Sequence, residues 1–190
     1  MSRVEPKPII VGIDPAVGKG SSRIAIACLS ADGGNFLAGH SFHVSSDKLS
    51  IPEVIQSIST VFPLVNPNED KCKALVVEGQ RVYPGGKVSP QSIVALAQMA
   101  GALLALGMAI LKPGRSLMPY PSDVSTLDKE TRHKQVLYKM DCSLAYVAER
   151  TTHWEITKLR DRPTIVDSPP LSQFPLDIMD AVCLARYSIR

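Results

Sequence analysis

Four acidic residues stand where apolar surroundings would ordinarily exclude a charged side chain. Asp14 and Glu78 each end an apolar segment with strand character. Asp177 and Asp180 open the last apolar helix, three residues apart and therefore on one face. Gathered carboxylates repel each other unless a divalent cation neutralises them, and hard oxygen ligands select Mg²⁺ or Mn²⁺. Two such ions about 3.5–4 Å apart can clamp a phosphodiester during attack by water, so the four acids predict metal-dependent phosphodiester hydrolysis.

Each acid also has a structural explanation. Asp177 can stabilise the first turn of a helix through the helix dipole, and Asp14 can close a turn with Pro15. Glu78 can be a solvated acid at the end of a strand. Asp180 fits such an explanation less well, because it falls beside the apolar side of its helix. Taken together, the four positions favour a metal site.

The glycines and serines after the first strand suggest a phosphate-binding loop, but the spacing excludes one. Five residues separate Gly12 from Gly18, where the pattern requires four, and Lys19 is followed by Gly20. The next segment, RIAIACLS, is short and β-rich, whereas a phosphate-binding loop is followed by a helix.

Composition indicates one globular domain over residues 1–190, with 1–7 as an N-terminal tail. The chain carries 21 Lys and Arg against 18 Asp and Glu, a net charge of +3, which permits a polyanionic partner without requiring one. Its four cysteines form no C-x-x-C pair and predict reduced thiols. We therefore expect a cytoplasmic protein.

Residues 93–111 are apolar enough to raise the question of a membrane span. Much of this segment is Ala and Gly, however, and Gly107 is placed to end a helix before a strand at Met108–Leu111. The N-terminus has no apolar signal core. We expect a buried helix and no membrane partner.

The pattern of elements predicts an α/β fold with a mixed five-stranded sheet flanked by helices. The predicted strands are Ile9–Ile13, Arg23–Leu29, Phe36–Val44, Ala74–Val77 and Met108–Leu111. The predicted helices are 51–62, 89–107, 129–140, 143–149 and 177–189, and residues 151–176 have no clear assignment. Short turns join the first three strands into an antiparallel meander, and helical crossovers make the later strands parallel. This arrangement resembles the ribonuclease H-like fold.

Four ordered blocks resemble the RuvC family of Holliday junction resolvases. They are IIVGIDPA, LVVEGQRVYPGGKVSPQSIVALAQMAGALLALG, YPSDVSTLDKETRHKQVLYKM and DIMDAVCLARY. The similarity covers residues 8–140 and 177–190. Between Val124 and Lys134 the family usually has a Lys and a Gly-x-Gly turn, where this chain has STLDKETRH, and the spacer before the last helix is longer. Both departures resemble phage-borne members of the family.

The resemblance implies a homodimeric, Mg²⁺-dependent endonuclease that nicks two opposed strands of a four-way DNA junction, with Mn²⁺ as a possible substitute. The metal ligands and catalytic residues would be the acids that the residue pattern had already singled out, Asp14, Glu78, Asp177 and Asp180. The helix at 89–106 is rich in Ala and Gly, which permits close approach of a second copy or of its own sheet.

Basic and aromatic residues supply the predicted DNA contacts, which are Arg81, Tyr83, Lys87, Lys129, Arg132 and Lys134. Tyr83 lies among basic residues in a Pro-Gly-Gly context, where it can stack on an unpaired base or pack on the helix below. The basic residues at 129–134 can neutralise phosphates or form a solvated helix face.

Other functions remain open at this point. An actin-like ATPase or sugar kinase also begins with an apolar strand ending in G-I-D, but it repeats that block and is much longer. A non-catalytic junction-binding protein requires that the carboxylates fail to converge. Another ribonuclease H-like nuclease, acting on branched DNA or an RNA–DNA hybrid, would use the same four acids.

Overall fold

The computed structural model describes residues 8–17, 23–44, 50–60, 62–66, 71–80, 89–140, 142–156, 164–165 and 176–189. The strands are β1 (Ile9–Asp14), β2 (Arg23–Ser30), β3 (Phe36–Val44), β4 (Cys72–Val77), β5 (Arg115–Leu117), β6 (Thr151–Ile156) and β7 (Thr164–Ile165). The α-helices are α1 (Ile51–Ser59), α2 (Pro90–Leu111), α3 (Pro121–Val124), α4 (Lys129–Lys139), α5 (Leu144–Glu149) and α6 (Leu176–Tyr187). A 3-10 turn covers Phe62–Val65.

The described strands form one mixed sheet in the order β5-β4-β1-β2-β3-β6-β7. β1, β2 and β3 are the expected antiparallel meander, and β4 lies parallel to β1. β5 continues the parallel half beside β4, and β6 lies parallel to β3 at the other side. The α/β fold is therefore confirmed, and the carboxyl ends of β1 and β4 meet at one edge of the sheet.

The prediction of five strands was too low, because β6 and β7 fall in the segment without a clear assignment. The strand predicted at Met108–Leu111 was wrong, since α2 continues to Leu111 and ends at Lys112, which has a left-handed φ of 45°. Gly107 does not end this helix. A Cβ there would lie 2.7 Å from Leu75 Cδ2, so the glycine lets α2 pack closely on β4.

Alternate residues of the central strands bury their side chains in two separate cores. One core contains Val11, Ile24 and Ile26 and is covered by α1 and α2, with Phe42 stacked on Trp154 at 5.0 Å. The other contains Ala25 and Ala27 and is covered by α6. Small side chains on this second face bring α6 unusually close to the sheet.

Helix α2 is buried on one side only. Met99, Ala100 and Leu103 pack against the sheet, while Val94 and Met108 are about half exposed. The helix is long and apolar enough to cross a membrane by length and composition alone. The expectation of a buried helix was therefore only half right, and an apolar face of α2 remains uncovered within the described chain. The four cysteines, all within the described residues, form no disulfide.

Candidate active site

Asp14 and Glu78 lie side by side because they end neighbouring parallel strands. Ile13 pairs with Val77, and the Glu78 backbone N–H donates to the Ile13 carbonyl at 3.1 Å, which extends the strand pairing by one residue. Gln80 Nε2 donates to Glu78 Oε2 at 3.4 Å. The two acids that were predicted to meet at this edge of the sheet therefore do so.

Helix α6 brings the other two acids to the same place. It crosses β1 at Gly12, where a Cβ would lie only 2.1 Å from the Ala181 carbonyl oxygen. This close crossing holds the first turns of α6 over the ends of β1 and β4. Asp180 is only 8% exposed and Asp177 is half-buried.

Burial and mutual repulsion shift the pKa values of the acids. Removal from water, then Glu78 and Asp180, raise the pKa of Asp14 well above its ordinary value. Removal from water and Asp180 likewise raise the pKa of Glu78. The pKa of Asp177 is raised mainly by burial, which the positive charges of Lys129 and Arg23 only partly offset. The nearby positive charges are therefore too few to offset burial and mutual repulsion at these three carboxyl groups.

Asp180 differs because helix α4 supplies it with three partners. Arg132 Nη2 lies 2.7 Å and His133 Nε2 lies 2.8 Å from Asp180 Oδ1, and Lys129 Nζ pairs with Oδ2. Burial alone would raise the pKa of Asp180, but the hydrogen bonds from His133 and Lys129 outweigh it and lower the pKa. The acids in turn raise the pKa of Lys129 against its own burial.

The predicted basic residues therefore separate into two groups. Lys129 and Arg132 reach the carboxylates, whereas Lys134 pairs with Glu130 at 2.6 Å on the exposed side of α4. Sequence reasoning did not single out His133. The sequence could have indicated His133 by its spacing, because residues 129, 132 and 133 lie on one face of a helix. Arg81, Tyr83 and Lys87 lie outside the described residues.

Two solved structures share this architecture. One is Thermus thermophilus RuvC in complex with a Holliday junction substrate, with a TM-score of 0.59 and 16% identity over 94% of this chain and 91% of that chain. Another is a Thermus thermophilus RuvC structure, with a TM-score of 0.57 and 14% identity over 94% and 92% of the two chains. The chain has the RuvC fold.

The yeast mitochondrial Holliday junction resolvase Ydc2 also aligns, with a TM-score of 0.42 and 15% identity over 99% of this chain and 80% of that chain. No protein-family model and no curated protein sequence matches the chain. The likeness to RuvC is therefore one of fold, and the chemistry of this chain must be argued from its own residues.

On this RuvC fold, the carboxylate oxygens of the four acids are ligands that suit a hard divalent cation. Among the described residues no three acidic, histidine or cysteine side chains lie close enough to enclose a metal ion. Both oxygens of Asp180 are instead engaged by Lys129, Arg132 and His133. Yet the neighbouring negative charges help to raise the pKa values of these carboxyl groups, which shows an excess of negative charge at the site. Mg²⁺ or Mn²⁺ would neutralise that excess. Asp180 would have to release at least one of its basic partners to bind such an ion.

Proposed function

We propose that this protein is a metal-dependent, structure-selective DNA endonuclease that resolves four-way junctions by paired symmetric nicks. The observation that carries the proposal is that four acids, near enough to shift one another's pKa values, adjoin the basic side chains of α4 on a RuvC fold. The acids provide a hydrolytic centre, and the adjoining cations provide attraction for a polyanionic backbone. A junction-binding protein without activity would not require four carboxylates beside its cations, since their negative charge repels DNA phosphates.

Asp14, Glu78, Asp177 and Asp180 would hold the cation, which when bound polarises the scissile phosphate and lowers the pKa of an attacking water. The protein's own part is to fix these ligands on rigid elements. Asp14 and Glu78 are held by strand pairing, and α6 is held by its crossing at Gly12.

Lys129 and Arg132 would turn from Asp180 toward DNA phosphates. Lys129 suits this role because 53% of its side chain is exposed although it contacts a nearly buried carboxylate. Arg132 suits the same role through its planar guanidinium, which can bind two phosphate oxygens at once. Exchange of a carboxylate partner for a phosphate partner would leave neither cation unpaired.

The experiment compares single amide variants of the four acids on a labelled four-way junction. Asp14→Asn, Glu78→Gln, Asp177→Asn and Asp180→Asn should each abolish nicking with Mg²⁺, since an amide keeps the shape but loses the charge. Junction affinity in chelator should hold or improve, because removal of a negative charge lessens repulsion from phosphates. Retention of near-native nicking by both Asp14→Asn and Asp180→Asn would refute the proposal.

Two controls sharpen this experiment. Asp32→Asn changes an acid in the turn after β2, far from the other four, and should leave nicking unchanged. Asp32 accepts hydrogen bonds from Gly34 and Ser30. Duplex, Y-fork and RNA–DNA hybrid substrates test the alternative of another ribonuclease H-like nuclease. Cleavage of the hybrid in preference to the junction would select that alternative.

We further propose that the protein acts as a homodimer joined through α2. Five exposed residues of this helix recur at helical spacing and are apolar or small, namely Val94, Ala97, Gly101, Ala105 and Met108. A Cβ on Gly101 would meet nothing within 4 Å, so this surface is open to a second backbone. Paired nicks require two active sites on one junction, and a dimer supplies them.

Gly101→Leu tests the dimer, because a bulky side chain would hold two helices apart. We expect the native mass in light scattering to be twice 20.6 kDa, and the variant to become monomeric and to lose paired nicking. Ala145→Leu adds similar bulk at an exposed position of α5, on the other face of the sheet, and serves as the control. A native mass of one chain would refute the dimer, and recovery with membranes would favour a lipid-facing α2.

Three expectations remain predictions. They are a single nuclease domain over 1–190 with 1–7 as a tail, a phage-type relationship, and action in the cytoplasm. The base-stacking role of Tyr83 also remains a prediction, since it depends on residues outside those described.

A further inference from the structure

A polar cluster formed by Arg23, Ser41 and His153 lies beside the acids on the sheet face that α6 covers. Asp14 pairs with Ala25, and Arg23 precedes Ala25 by two residues on β2, so the two side chains share a face. The Arg23 backbone is therefore about 7 Å further along the strand, past the carboxyl end of β1. Ser41 on β3 pairs with Ala25 on β2 and with His153 on β6, which places Arg23, Ser41 and His153 at this end of the sheet.

The hydrogen bonds in this cluster define the state of the histidine. Arg23 Nη1 lies 3.3 Å from His153 Nδ1, and Ser41 Oγ contacts the same nitrogen. A guanidinium can only donate, so Nδ1 accepts and the proton of the neutral ring is on Nε2. Burial, with a smaller contribution from Arg23, lowers the pKa of His153 to about 4, so the ring is neutral at physiological pH.

A neutral His153 leaves the positive charge of Arg23 in place and, within the described residues, accepts from one of its N–H donors. His153 orients the guanidinium through one nitrogen but does not neutralise it. Within the described residues Arg23 forms no ion pair, in contrast to Arg132 and Lys129, which pair with Asp180. The Arg23 side chain is half-buried and its charge reaches Asp177, so it borders the acidic centre.

We propose that Arg23 binds a backbone phosphate of the cleaved DNA strand next to the scissile one, on the β2–β3–β6 side of the acids. His153 and Ser41 are positioning residues that hold the guanidinium toward this phosphate. The inference rests on the proposed function, because it assigns a further part of the same substrate. A guanidinium fixed at one nitrogen still offers four N–H donors, which suits the several oxygens of a phosphate.

A purely structural role would make Arg23 a counter-charge for Asp177. The two roles differ in the salt dependence of DNA binding, because each phosphate neutralised by the protein releases about 0.9 counterion from duplex DNA. A phosphate contact therefore contributes about 0.9 to the slope of log affinity against log salt concentration, and a counter-charge for Asp177 contributes nothing.

The experiment measures affinity for a dye-labelled four-way junction and for plain duplex by fluorescence anisotropy, in chelator, from about 50 to about 200 mM monovalent salt. The variants are Arg23→Gln, Arg23→Lys, His153→Leu and Lys73→Gln. Lys73 is a matched control because it is an exposed cation on β4, which lies next to the edge strand β5 and away from β3 and β6. Circular dichroism verifies that each variant is folded.

We expect Arg23→Gln to weaken junction binding about eightfold at 0.1 M salt and to lower the slope by about 1. Arg23→Lys should keep the slope, and His153→Leu should weaken binding with the slope unchanged, because the charge remains but is less well placed. The inference is overturned if Arg23→Gln binds the junction with the same affinity and the same salt dependence as Lys73→Gln. If the wild type instead binds junction no better than duplex, the proposed function fails, and a lowered slope on duplex would still support the phosphate contact.

Discussion

Substitution of Gly12 by alanine should disturb both folding and the acidic centre, since α6 crosses β1 at this residue. An added Cβ would lie 2.1 Å from the Ala181 carbonyl oxygen and 2.5 Å from the Ala185 backbone nitrogen. Contacts below 3.0 Å do not persist, so α6 must move by about 1 Å. Both neighbours are backbone atoms, and no side-chain rotation can relieve the clash.

The cost can be estimated from this displacement. Overpacking of a core typically costs about 1–3 kcal/mol, and a clash between backbones belongs near 3 kcal/mol. For a chain of this length, each kcal/mol lowers the melting temperature by about 2–4 °C, so we expect a decrease of about 6–12 °C. A displacement of about 1 Å can also lower the rate of a positioned reaction about 100-fold, and α6 carries Asp177 and Asp180.

The assay is thermal unfolding in chelator, followed by junction nicking well below the melting temperature of the variant. Gly34→Ala is the matched control, because its Cβ would lie 3.4 Å from the nearest atom, Asp32 Oδ1, which is an ordinary contact. We expect Gly34→Ala to stay within about 0.5 kcal/mol of the wild type. Equal melting temperatures for Gly12→Ala and Gly34→Ala would refute the close crossing of α6 over Gly12.

Two further substitutions test buried histidines. Burial lowers the pKa of His40 to about 4, below its unfolded value, so its contribution to stability is lost as the pH falls from about 6.5 toward 4. His40→Leu should therefore melt progressively higher than the wild type between pH 7 and pH 4.5, and a pH-independent difference would contradict this. His133→Leu removes the 2.8 Å contact to Asp180 and should cost about 1–3 kcal/mol in chemical denaturation in chelator. His133→Gln, which keeps a donor, should recover part of that loss, and equal stability of both variants would show that the contact contributes nothing.

Local patterns predicted the elements whose signals lie within a few residues. The helix beginning at Ile51 was expected from Ser50 and Glu53, and the Ser50 backbone N–H does donate to Glu53 Oε2 at 2.6 Å. The apolar runs before Asp14 and Glu78 predicted strands, because a strand that is covered on both faces of the sheet is apolar at successive positions. The short connections between the first three strands determined their antiparallel pairing.

Errors arose where a residue's role depends on a distant partner. Gly107 was predicted to end a helix, but its missing side chain instead makes room for Leu75 of β4. Nothing near Gly107 in the sequence indicates this contact. Strand β6 lacked an apolar run, and it forms because β3 offers a free edge for parallel pairing. An unassigned segment can therefore become a strand when the sheet supplies its hydrogen-bond partners.

The sequence by itself determined that four acids would end strands or open a helix in apolar surroundings, because residue type and periodicity are local properties. Only the tertiary structure decided which cations face those acids. Lys129, Arg132 and His133 reach Asp180, whereas Lys134, on the same helix, points away. Arg23 meets His153 across 130 residues of sequence, because the register of three strands brings them together. Such pairs depend on packing and strand register, which have no signature in a short stretch of sequence.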